Sequence, residues 1–92
     1  MVDLKATYTI TRDVLFRELE GEMVLLNKLS ATYFSLNETG SEVWRRLSGH
    51  ATVEEICQGM AETYHIPKEK LVADLTQLIE ELLNAGLIQP NS

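Results

Sequence analysis

The sequence predicts an α+β domain in which a three-stranded antiparallel sheet is followed by three helices. Three observations carry that expectation. Residues up to Asn37 favour strands, whereas those from Glu38 onward favour helices. Short apolar runs in the first half are separated by turn-forming residues. The second half holds apolar stripes of helical spacing, each beginning or ending at a capping residue, a glycine or a proline. No Pro/Ser linker, low-complexity tract or repeat separates the halves, so they read as two layers of one domain spanning residues 1–92, with its core at about 14–88.

The first strand is expected over 14–20, VLFRELE, with Leu15 and Leu19 on one face and Val14, Phe16, Glu18 and Glu20 on the other. Gly21-Glu22 supplies a tight turn into the apolar run MVLLN at 23–27. Lys28-Leu29-Ser30-Ala31 forms a looser turn, and TYFSL at 32–36 completes the meander, since Thr, Tyr and Phe suit a pleated surface. Thr32, Phe34 and Leu36 share one face of that strand; Tyr33 and Ser35 share the other.

Asn37 can cap a helix running from about Glu38 to Leu47, which buries Val43, Trp44 and Leu47 and stops at Gly49. Thr52 and Glu55 form a capping box for the next helix. Its stripe is Val53, Ile56, Cys57, Met60, Ala61 and Tyr64, and it ends near His65, because Pro67 holds Ile66 extended. Pro67 suits the first turn of a third helix, which reaches about Ala85 and stops at Gly86. Leu71, Val72, Leu75, Leu78, Ile79, Leu82 and Leu83 make its apolar face wide enough to cover a core and leave a margin. Leu87 and Ile88 are expected to fold back onto the core.

Composition narrows the function. The 92 residues carry 8 Lys+Arg and 14 Asp+Glu, a net charge of −6, the reverse of the basic surplus usual in nucleic-acid binders. A lone cysteine, Cys57, can form neither an internal disulfide nor a Cys-rich zinc cage. There is no signal-peptide layout and no apolar run of membrane-spanning length, so a cytoplasmic protein is expected.

Catalysis finds little support. His50 and His65 fall at separate helix ends, where histidine is usually solvated. Cys57 lies on an apolar stripe, which argues for an inert, buried thiol. Glu54-Glu55 and Glu80-Glu81 are sequence neighbours about 100° apart on a helix and read as solvated faces. No phosphate loop, GxSxG or metal-ligand spacing is present. The expectation is a protein that is not an enzyme, with no catalytic residue, metal or cofactor.

Binding remains. TYFSL contains neither Pro nor charge, the usual protections of an exposed strand edge. Either residues 1–12 cover that edge, or it is used. If it lies beside the third helix, backbone hydrogen bonds on one wall and leucines on the other form a groove suited to an extended peptide.

The run VLLNKLSATYFSLNETGSEVWRRLSG, then TVEEI, then DLTQLIEELLNAGLI, resembles the PqqD-like family, whose members recognise ribosomally made, modified peptides. The elements that match are Leu25-Leu26-Asn27, Tyr33-Phe34, Leu36-Asn37, Gly40, Trp44, Gly49, Thr52-Val53, Ile56, Asp74, Leu82 and Gly86-Leu87-Ile88. The resemblance spans roughly Val14 to Ile88. It implies a winged-helix-like fold and a non-catalytic protein that takes a precursor's leader segment as an added strand between the third strand and the third helix. It implies delivery to a leader peptidase or other maturation enzyme. PqqD proteins proper tend to carry Pro-Glu after the Leu-Leu of the second strand. Here Asn27-Lys28 stands there, which is more similar to the stand-alone recognition proteins of lasso-peptide pathways. Carried onto this chain, the binding mode places Thr32, Tyr33, Phe34, Ser35 and Leu36 on the strand edge. It places Leu71, Asp74, Leu75, Leu78 and Ile79 on the helix wall, with Lys28 and Leu29 at the entrance.

Two other readings follow from the same features. A winged-helix nucleic-acid binder has the architecture, but the second helix carries no Lys or Arg and the third only Lys68 and Lys70. A dimerisation module would pair the strand edge and leucine face with a second copy. The partners expected are therefore a leader peptide and its processing enzyme, not nucleic acid or membrane, with the protein itself a monomer or weak dimer.

Overall fold

The computed structural model describes residues 3–91. Its elements are β1 (Tyr8–Ile10), β2 (Val14–Leu19), β3 (Glu22–Asn27), β4 (Thr32–Leu36), α1 (Glu38–Ser48), α2 (Val53–Tyr64), α3 (Lys68–Asn84) and β5 (Ile88–Pro90). The fold is the expected α+β arrangement: an antiparallel meander in the order β2-β3-β4, followed by three helices. The β2–β3 turn falls one residue earlier than expected. Glu20 and Gly21 both take positive φ, 52° and 83°, as a two-residue hairpin matched to strand twist requires.

Register assigns the two faces of the sheet. Phe16, Leu25 and Phe34 lie level on one face, as do Glu18, Met23 and Leu36. This face meets the helices, and Met23, Leu25 and Leu36 are buried there. The opposite face carries the row Leu15–Leu26–Tyr33, with Leu15 and Tyr33 exposed.

Each helix begins where its chemistry directs. Asn37 Oδ1 accepts the Gly40 N–H at 2.8 Å, and Ser41 Oγ, inside the first turn, is fully buried. Thr52 and Glu55 form the expected capping box, and His65 ends α2 in the left-handed region. Pro67 stands at the N-cap of α3, and Gly86 follows its end with φ 72°. Trp44 is core, as expected: it is fully buried, with the Phe16 ring edge-on at 5.5 Å, although its indole N–H has no partner. Leu25, Leu47, Ile56, Met60, Ile79 and Leu82 fill the same core.

The described residues of the N-terminal segment, 3–12, do not pair with the β4 edge. β1 pairs with β5 instead, Tyr8 level with Pro90 and Ile10 with Ile88. The Val53 and Glu54 N–H groups donate to Ala6 and Leu4 carbonyls at 3.2 and 2.8 Å, which fastens the segment to the start of α2. Residues 1 and 2 of the segment lie outside the described residues. Leu87 and Ile88 fold back and are buried, as expected.

Candidate functional site

The site begins with the hydrogen-bonding direction of β4. In an antiparallel ladder, successive residues turn their backbone groups to alternate sides. Lys28 N–H donates to the Asp13 carbonyl at 2.9 Å, so the even-numbered residues of β3 face β2. Met23, Leu25 and Asn27 therefore face β4. Their level partners Leu36, Phe34 and Thr32 turn back toward β3. Tyr33 and Ser35 are left with N–H and C=O directed at the outer edge of the sheet, where no strand pairs among the described residues. The β4 edge is thus an open row of backbone donors and acceptors.

α3 packs on α2 and β5 and leaves a gap beside β4. Its C-terminal end is anchored near the start of β4: Asn27, level with Thr32, donates through Nδ2 to the carbonyls of Ala85 and Gly86 at 3.4 Å. Leu36, at the other end of β4, shares the gap with Leu71 and Asp74. The helix and strand therefore run in opposite directions along a groove of about 470 Å³.

Phe34, Ser35, Leu36, Leu71, Asp74, Leu75 and Leu78, all expected at the site, line this groove together. The other expected residues lie elsewhere. Ile79 is corrected from the helix wall to the core: it is fully buried, because the wall turns outward at Leu78 and the next residue points about 100° away. Tyr33 projects its ring onto the outer sheet face and is 70% exposed, so only its backbone addresses the edge. Thr32, Lys28 and Leu29 are exposed around the β3–β4 turn and do not line the groove.

Val43, Cys57, Met60 and Ile66 form a floor that sequence reasoning left out, and Asn37, Thr39 and Gly40 close the α1 end. Helical periodicity marked Cys57 and Met60 as apolar, but not that they lie under a gap between α3 and the sheet. Burial pushes the Cys57 thiol up, with Lys68 opposing and Glu54 adding to the shift, so the groove floor is chemically quiet. Glu81, read as part of a solvated face, stands on the α3 wall. No cluster of three metal-ligating side chains occurs among the described residues. None of the described helices is long and apolar enough to cross a membrane. The arrangement can bind an extended chain: backbone on one wall, aliphatic side chains on the other.

The family model described as coenzyme PQQ synthesis protein D (PqqD) matches residues 22–88. Among solved structures, "TbiB1 in Complex with the TbiA(beta) Leader Peptide" is 28% identical with a TM-score of 0.84, and the match covers 88% of this chain and 94% of that one. "Lasso peptide synthetase B1 complexed with the leader peptide" is 22% identical with a TM-score of 0.86, covers 92% of this chain and 100% of that one, and supports the fold. Comparison with curated proteins finds no match.

Proposed function

The chain belongs to the PqqD family, and from that premise we propose that it binds the leader segment of a ribosomally made precursor peptide of the lasso type as an added strand on β4. The observation that carries this reading is the open β4 edge facing the leucines of α3 across the groove. A leader strand pairs with the outward backbone groups of Tyr33 and Ser35. Its alternate side chains enter the groove level with Phe34 and rest on Leu71, Leu75 and Leu78. The protein itself performs no chemistry; it holds the leader and presents the rest of the precursor to a leader peptidase or another maturation enzyme. The likeness to TbiB1, whose structure is a complex with the TbiA(beta) leader peptide, supports the same reading.

Calorimetric titration with the leader of the precursor encoded beside its gene tests this. Saturable one-to-one binding in the submicromolar range, about 8 to 10 kcal/mol, is expected. Ser35→Pro removes an outward N–H from the edge, where proline is tolerated by the fold, and abolishes that binding. A Ser35→Pro protein that is folded and binds the leader as well as the parent overturns the strand-addition reading.

A further inference from the structure

The groove is not electrically neutral. The charged residues that line it are Asp74 and Glu81, both on the α3 wall, and no Lys or Arg lines it. They are seven residues apart, so they stand on one face of the helix about 10 Å from each other along its axis. Leu75 and Leu78 lie between them on the same wall. Both carboxylates can take a further cation. Among the described residues Asp74 pairs with the exposed Lys70 alone, at 3.4 Å, and solvent screens that pair. Glu81 accepts one uncharged contact, the Gln77 side-chain amide at 3.4 Å.

A strand laid along β4 sends every second side chain into the groove, about 6.6 Å apart. Three successive groove-facing positions span about 13 Å, some 3 Å more than the axial separation of Asp74 and Glu81, a difference within the reach of a Lys or Arg side chain. We infer that the groove selects extended segments with an apolar side chain at the central groove-facing position and Lys or Arg two positions before or after it, the cation being taken by Glu81 or Asp74. This rests on the leader-binding reading and adds its specificity. The backbone edge is blind to sequence and the leucines distinguish only size, whereas the two carboxylates set the charge of the ligand. Because α3 and β4 run in opposite directions, the Asp74 position lies toward Leu36 and the Glu81 position toward Thr32.

The test is selection of a phage-displayed random decapeptide library on the purified chain, followed by titration of a synthetic selected peptide. The expected result is enrichment of Lys or Arg two positions from an apolar residue. Affinity of the selected peptide should fall about tenfold in Glu81→Lys or Asp74→Lys, less in Glu81→Gln, and return when the peptide's cation is replaced by Glu against the Lys variant. Circular dichroism checks that the variants are folded. Enriched apolar peptides without a basic excess, or affinities unchanged by charge reversal, overturn the charge assignment; loss of those peptides in Ser35→Pro then leaves the leader-binding reading standing. Enriched peptides that bind Ser35→Pro undiminished overturn both.

Discussion

Ser41 Oγ accepts the Met23 N–H at 2.7 Å and donates to the Leu36 carbonyl at 3.1 Å. The hydroxyl therefore stands in the β3–β4 ladder where Met23 and Leu36 are level and would otherwise bond directly. It ties the end of β4 to the first turn of α1, and with it the mouth of the groove.

Ser41→Ala leaves a donor and an acceptor without partners in a fully buried position. A loss of about 2 to 4 kcal/mol is expected in urea denaturation. Ser41→Thr should recover part of it, since the hydroxyl is retained. A Ser41→Ala protein as stable as the parent would show that the backbone closes the gap unaided.

Leu75 and Leu78 separate stability from binding. Leu75 is 4% exposed and shared between core and groove, so Leu75→Ala should destabilise by about 2 to 4 kcal/mol. Leu78 is half-buried against the core and faces the gap. Leu78→Ala should cost about 1 kcal/mol of stability but weaken leader binding roughly tenfold. Thermal unfolding and titration of both variants check the split.

Gly59 lies on α2 beneath the Arg46 side chain. A Cβ there would sit 2.2 Å from Arg46 Nη1, the far end of a flexible chain whose Nε pairs with Glu42 at 2.8 Å. Displacing a half-exposed ion pair costs about 0.5 kcal/mol, whereas Ala in place of Gly within a helix gains about 1 kcal/mol. Gly59→Ala should therefore raise stability by about 0.5 kcal/mol, read as a higher urea midpoint with an unchanged slope.

Acid loosens the start of α2. Glu55 accepts the Thr52 N–H at 2.8 Å, and these capping bonds hold its carboxyl below the usual carboxylate range. The folded value is lowered, so its contribution is complete above the ordinary value and is lost as pH falls through the lowered one. A carboxyl ¹³C titration should show a depressed Glu55 midpoint that returns toward normal in Thr52→Gly, where the helix start loosens.

The meander and helices were legible because local rules agree there: alternation in TYFSL, Asn37 and Thr52 as caps, Gly86 as a stop. The β1–β5 pair was not, because each strand is three residues long and its partner lies some 80 residues away, so no local pattern announces it. In α3 the apolar stripe named the right face of the helix but not the line between Leu78, which borders the groove, and Ile79, which fills the core. That line depends on where β4 stops short of the helix. Glu81 is exposed, as its place beside Glu80 suggests; that it also borders the groove depends on where α3 passes β4, which no local pattern gives.

The β1–β5 ladder sets Tyr8 level with Pro90, and the Asn91 N–H donates to the Thr7 carbonyl at 3.1 Å. The segments entering and leaving the fold are thus neighbours, paired with each other in a sheet separate from the one that holds β4. A short tether could join them into a ring, or the whole unit could be spliced as a cassette into a surface loop of a larger enzyme, without prising the groove open.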